Sequence, residues 1–156
     1  MDATGDRGQD EHTQRVEAVR ALARASRMLE RSSPELSLAH YRVLAAVASG
    51  DERASRVARR LAVGKPTISA AVDALCQRGL LERLDVAGDQ RAAALRLTAV
   101  GEHLLARVEA EMIRRIDDLC ARTPDGARLV QSLVWLGAAI DETRAERTAN
   151  EREGGR

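Results

Sequence analysis

The sequence predicts a mainly α-helical fold with a small β-hairpin, in which a helix-turn-helix runs into a hairpin wing and long amphipathic helices flank it on both sides. Three observations carry this expectation. First, Arg56–Leu97 reads RVARRLAVGKPTISAAVDALCQRGLLERLDVAGDQRAAALRL: two short helical patterns meet at a tight turn, and two short strand patterns follow around a polar tip. Second, Phe is absent and the only large aromatics are Tyr41 and Trp135, so the core must be built from Leu, Val, Ile and Ala in a chain rich in strong helix formers. Third, apolar stripes of helical period lie on either side of this unit and exceed what so small a unit can cover. Helix, turn, helix, hairpin is the order of a winged helix-turn-helix, which places one helix in the DNA major groove and can set a basic hairpin tip beside it.

Taken in order, residues 1–10 are polar and read as a disordered tail. A helix is expected from about Glu11 to Glu30, with Val16, Val19, Ala23, Ser26 and Leu29 on one stripe. Ser32-Ser33-Pro34 breaks it, so 11–33 forms an N-terminal dimerisation segment. The winged helix-turn-helix is expected over 34–100. Its first helix, roughly Leu38 to Ala48, takes Ser37 as N-cap, because that hydroxyl can satisfy free backbone N–H groups. Tyr41, Leu44, Val47 and Ala48 form its apolar face, and Ser49-Gly50-Asp51 ends it.

A short helix from about Ala54 to Leu61 turns Val57, Ala58 and Leu61 inward, and the turn AVG leads to a fourth helix starting near Lys65-Pro66. Pro is tolerated there because first-turn N–H groups have no intrahelical partner. Ile68, Val72 and Leu75, at i, i+4 and i+7, face the core, and Gly79 stops the helix as a left-handed residue would. Leu80–Val86 and Ala92–Leu97 read as strands around the turn Ala87-Gly88-Asp89-Gln90.

Thr98 caps a long helix striped by Leu105, Val108, Met112, Ile116 and Leu119, and Thr123-Pro124-Asp125-Gly126 breaks it. A last helix, about Ala127 to Glu146, carries Leu129, Leu133, Leu136 and Ile140. Residues 101–147 are thus C-terminal dimerisation helices, and 148–156 a flexible tail. Helices that cannot bury their faces alone do so across a symmetric dimer, and a two-fold homodimer presents two reading heads to a palindromic site on double-stranded DNA.

The chain's 156 residues suffice for one domain with a real core. Its net charge is +1, which excludes a bulk polycation. Between Asp51 and Arg96, however, nine cationic side chains stand against six anionic ones, a local excess of three. That asymmetry is mild and has the right sign for phosphate contact. No apolar run approaches the roughly 20 residues needed to span a bilayer, and the polar N-terminus carries no signal-peptide apolar region. Cys76 and Cys120 lack paired or metal spacing, and His12, His40 and His103 lie in separate segments. The expectation is a cytoplasmic protein with reduced thiols, no membrane partner, no metal and no cofactor. No nucleophile–base constellation and no Gly-rich phosphate loop are present, so it is not expected to be an enzyme.

The residues left pointing outward on the fourth helix carry the chemistry. Lys65 and Pro66 open it, and Lys65 with the helix N-terminus favours phosphate. Thr67 and Ser69 offer hydroxyls to phosphates or base edges, Ala70 can contact a thymine methyl, and Asp73 and Gln77 share the outer face. The same face is equally that of an ordinary solvated helix. At the hairpin tip, the Arg91 guanidinium suits a narrow, negative minor groove, and Asp89 suits pairing with Arg91 or Arg83 to shape the tip. Taken alone, both also read as surface charges whose pairing contributes only about 0–1 kcal/mol.

Five segments resemble the MarR family of bacterial winged-helix regulators, in family order: LSLAHYRVLAAVA from Leu36, VARRLAV from Val57, PTISAAVDALCQRGLLER from Pro66, DQR at Asp89–Arg91, and LRLTAVGEHLL from Leu95. The resemblance covers roughly Leu36 to Leu105, and the flanking helices fit the family's dimerisation helices. It implies a homodimeric transcription regulator, usually a repressor, released by a small aromatic or phenolic ligand or by thiol oxidation. It also implies a ligand cavity where the dimerisation helices meet the DNA-binding lobe, with Met28, His40, Leu44 and Met112 as lining candidates. Each of these is equally a core or surface residue, and Trp135 is most simply a dimer-core residue.

The chain departs from the family pattern at Ala54 and Gly64, where hydroxyl caps are common, and at Ala70, where a longer reader is common. Recognition would then lean on Thr67, Ser69, Lys65 and Arg91. The family's oxidation sensors carry their thiol near the first helix, where this chain has none. Cys76 lies toward the recognition-helix C-terminus, where the dipole disfavours a thiolate, and Cys120 ends the fifth helix. An oxidation-responsive repressor and a winged helix that binds protein rather than DNA are the alternatives.

Overall fold

The structure, a computed structural model, describes residues 3–84 and 93–154. The described elements run α1 (Ala3–Glu30), α2 (Leu38–Ala48), α3 (Ala54–Leu61), α4 (Lys65–Gln77), β1 (Leu81–Leu84), β2 (Ala94–Leu97), α5 (Ala99–Cys120) and α6 (Gly126–Gly154). The fold is mainly helical with one antiparallel hairpin, paired Leu81 to Leu97 through Leu84 to Ala94.

Local chemistry accounts for most boundaries. The Ser37 hydroxyl accepts from the His40 N–H at 3.2 Å and opens α2. Thr98 does the same for α5, accepting from the Gly101 N–H at 3.0 Å. Gly79 ends α4 at a φ of +67°, a left-handed conformation that glycine adopts without steric cost. The α3–α4 turn places Ala62 in the same region at φ 52°, which a Cβ makes costlier.

Two termini differ from expectation. Helix α1 begins at Ala3, so residues 3–10 are helical rather than a disordered tail, and α6 continues to Gly154 through most of the expected flexible tail. Once a helix is nucleated, each further residue adds one hydrogen bond, so propagation needs no apolar face. Leu80 and Ala93, expected in the strands, lie just outside β1 and β2, and the expected strand residues Asp85, Val86 and Ala92 lie outside the described residues. The tip with Asp89 and Arg91 lies outside the described residues.

The core sits beneath the helix-turn-helix. Leu36, Val43, Leu44, Val57, Ile68, Val72, Leu75, Leu80, Leu81, Leu95, Leu105 and Val108 are all buried there. It ties the wing root to α4 and to the first half of α5. The predicted α5 stripe follows this gradient: Leu105, Val108 and Met112 are buried, whereas Leu119 is exposed. Along α6 the apolar residues are uncovered: Leu133, Val134, Leu136 and Ile140 are exposed, and Trp135 is 63% exposed.

Candidate nucleic-acid interface

Helix α4 is anchored by three side chains one or two turns apart. Ile68, Val72 and Leu75 are each at most 3% exposed. The helical period leaves Lys65, Pro66, Thr67, Ser69, Ala70 and Asp73 on the other side, and all six are exposed. Gly64 stands at the N-cap without a side-chain cap, and Pro66 occupies the first turn. The N-terminal end of α4 therefore keeps backbone N–H groups that no side chain has claimed, a ready site for an anion.

Asp73 is not a lone anion on this face. Arg83 of β1 donates to its carboxylate at 2.5 Å, and this bond, more than any other contact, pushes the Arg83 guanidinium further up. Arg83 lies ten residues beyond Asp73 and reaches it because the Gly79 turn folds β1 back beside α4; the expected pairing of Asp89 with Arg91 or Arg83 lies outside the described residues. The Asp73–Arg83 pair links α4 to the wing root and offsets the negative charge of Asp73 on this face.

The base of the wing is held from below. The Thr98 hydroxyl donates to the Gly79 carbonyl at 2.6 Å, and the Thr98 N–H to the Leu80 carbonyl at 3.2 Å. Gly101 lets α5 approach this strand: a Cβ there would overlap the Leu80 carbonyl oxygen and lie 3.0 Å from its carbon. The Arg78 guanidinium, just past the end of α4, donates to the Glu35 carbonyl at 2.7 Å, and Arg107 pairs with the Glu35 carboxylate at 2.7 Å. The end of α4 is thus bonded to the loop before α2 and, through Glu35, to α5.

A second feature lies away from α4. A cavity of about 440 Å³ opens between α1, α2, α5 and α6, lined by Leu29, Tyr41, Glu109, Met112, Ile113, Ile116, Asp117 and Val130. Of the four ligand candidates read from sequence, only Met112 lines it. Leu44 is fully buried in the core, and Met28 and His40 are displaced by their neighbours Leu29 and Tyr41. One residue is about 100° around a helix, so the stripe was right and the facing residue was one position further on. The Tyr41 hydroxyl donates to Glu109 at 3.5 Å. Burial, then the Glu109 charge and this bond, push the phenol above its ordinary value.

Cys76, in the last turn of α4, is half-buried. Burial pushes its thiol up, with Arg83 acting against this and Asp73 with it. Cys120 sits at the α5–α6 corner, where a Cβ on Gly126 would come within 2.8 Å of the Cys120 Cβ. No described helix is long and apolar enough to cross a membrane.

Comparison with known proteins follows this geometry. A profile described as "MarR family" matches residues 35–92, while no curated protein matches the sequence. Among solved structures, the chain is similar to the transcriptional repressor CouR bound to a 23-mer DNA duplex, at 26% identity and TM-score 0.68 over 80% of this chain and 89% of that one. It is also similar to the PcaV transcriptional regulator from Streptomyces coelicolor in complex with its natural ligand, at 27% identity and TM-score 0.61 over 79% and 89%. It shares the fold of wild-type apo MarR from E. coli, at 20% identity and TM-score 0.66 over 82% and 94%. Residues 35–92 thus match the MarR-family profile, and the chain carries the winged helix-turn-helix fold that these solved regulators share.

Proposed function

We propose that this protein is a homodimeric repressor that reads a palindromic operator through α4 of each protomer and is released by a small aromatic ligand. The observation that carries the reading is the division of α4: one side locked into the core by Ile68, Val72 and Leu75, the other exposing Lys65, Thr67, Ser69 and Ala70 with an uncapped N-terminus. A rigid helix with small hydroxyls and a methyl on its free face suits close approach to base edges, with Lys65 and the helix end on phosphate. Arg91 and Asp89 would extend the contact from the wing.

The dimer follows from the uncovered apolar side chains of α6, Leu133, Trp135, Leu136 and Ile140, together with Val19 and Leu22 of α1. Two-fold symmetry of the protein then implies two-fold symmetry of the operator. The effector enters the cavity between α1, α2, α5 and α6, because that cavity joins the dimerisation helices to the reading unit. It releases DNA only if it binds better to the spacing of reading heads that does not fit the operator. CouR in its DNA complex and PcaV in its ligand complex support both halves of this reading by analogy. The raised Cys76 thiol favours ligand release over oxidation, since the reactive species is the thiolate.

Titrating the full chain against a labelled duplex from the DNA upstream of its own gene tests the proposal. Saturable binding by two protomers is expected, with affinity falling steeply as salt rises. Binding that ignores salt and sequence would overturn it in favour of a protein-binding winged helix. Leu136→Arg with Ile140→Arg is expected to give monomers that no longer hold the duplex.

A further inference from the structure

The cavity between α1, α2, α5 and α6 carries charge of one sign. Leu29, Met112 and Ile116 supply apolar wall, the polar lining groups are Tyr41, Glu109 and Asp117, and no Lys, Arg or His is among its lining residues. Neither carboxylate forms an ion pair among the described residues, and the nearby cations of α5 are committed elsewhere: Arg114 and Arg115 to Glu111, Arg107 to Glu35. The side-chain bond that Glu109 accepts comes from the Tyr41 hydroxyl and is long, at 3.5 Å. A carboxylate has lone-pair sites for about four bonds, so acceptor capacity is left over beside an apolar space.

The volume, about 440 Å³, is that of a small-molecule site. Charge decides which small molecule. A phenolate or carboxylate entering here would meet like charge at Glu109, which is half-buried so that repulsion exceeds that in water, and a second, solvent-exposed carboxylate two helical turns along at Asp117. A cation gains from the same two groups, and the Tyr41 ring adds a face that attracts cations. We propose that the effector is a hydrophobic amine, its ammonium held by Glu109 beside Tyr41 and its apolar body lying against Leu29, Met112 and Ile116. This rests on the reading of the protein as a ligand-released regulator and specifies the chemistry of its ligand. Asp117, exposed at the far end of the cavity, adds a second, weaker charge of the same sign.

Three probes with one apolar body separate the charges: 3-phenylpropylamine, 3-phenylpropan-1-ol and 3-phenylpropionate, each titrated calorimetrically into the full chain. The amine is expected to bind at least roughly tenfold tighter than the carboxylate, with the alcohol between them. In Glu109→Gln, checked for cooperative melting, the preference for amine over alcohol should shrink to about threefold or less. Asp117→Asn should instead relieve the rejection of the carboxylate. The amine should also weaken duplex binding by the wild-type chain.

A carboxylate that binds as tightly as the amine overturns the inference. So does the absence of binding by all three probes, which would assign the cavity walls to a second copy of the chain. Amine binding that leaves duplex affinity unchanged overturns the effector role. Duplex binding by the ligand-free wild type is measured alongside, so that its failure would point to the regulator reading and failure of the probe series alone to the cation.

Discussion

Replacing Gly101 by Ala sets two forces of opposite sign against each other. Gly101 is the third residue of α5, and in a helix Ala exceeds Gly by about 0.8–1 kcal/mol. By propensity alone, Gly101→Ala should stabilise the protein. The structure predicts the reverse. The new Cβ would overlap the Leu80 carbonyl oxygen, 3.0 Å from its carbon and 3.3 Å from its Cα. These are backbone atoms of the wing root, and no side-chain rotation relieves the contact.

Helix α5 must withdraw, which stretches the bond from the Thr98 N–H to the Leu80 carbonyl, now 3.2 Å, and the bond from the Thr98 hydroxyl to Gly79, now 2.6 Å. Overpacking costs roughly 1–3 kcal/mol and a weakened hydrogen bond about 1 more; after the propensity gain, a net loss of about 1–3 kcal/mol remains. At this chain length that is a fall in Tm of roughly 3–10 °C. Thermal unfolding followed by circular dichroism, at one fixed protomer concentration, reads it. Operator affinity should fall as well, because Thr98 fixes the end of α4. A Tm equal to or above that of the wild type would refute the close approach of α5 to β1.

Four other outcomes follow from the same residues. Asp73→Asn removes an anion from the face of α4 and frees Arg83, so the salt dependence of duplex binding should steepen by about one unit of slope, with stability changing by less than about 1 kcal/mol because the pair is exposed; an unchanged slope would place Asp73 away from phosphate. Arg91→Ala is expected to weaken operator binding by about tenfold or more while the dimer stays folded, and undiminished binding in an anisotropy titration would end the role assigned to the wing tip. Cys76 should react with Ellman's reagent more slowly than free cysteine at neutral pH, and mild peroxide should leave duplex binding intact, because burial holds the thiol protonated. Tyr41 is the single tyrosine, so its phenolate absorbance should titrate above 10.0. The folded state holds this proton more tightly than the unfolded chain, so the stability it contributes is complete below the unfolded pKa and is lost as pH rises through the folded one.

Much of the fold was legible because its signals are local. Ser37 and Thr98 cap the helices they precede, Gly79 takes the left-handed turn, and the spacing of Ile68, Val72 and Leu75 told which side of α4 is buried. Each depends on residues within two turns of one another. The exposed reading face of α4 followed by subtraction. Helices α1 and α6 run past their expected ends because polar composition argues against a packed face, not against a helix.

What only the tertiary structure decided depends on how elements rotate and approach. Asp73 pairs with Arg83 because β1 folds back beside α4, a contact between separate elements that no spacing within one helix or strand announces. Leu29 and Tyr41, not Met28 and His40, line the cavity because the apolar stripes of α1 and α2 face it and each candidate lies about 100° off its stripe. Its anionic character comes from Glu109 and Asp117, which in the sequence are two acidic residues among many on a charged helix. Sequence determines which stripe of a helix is apolar, since that is a periodicity within one segment. Which residues of that stripe meet across a cavity, and hence the charge a ligand encounters there, is settled only when four helices pack against one another.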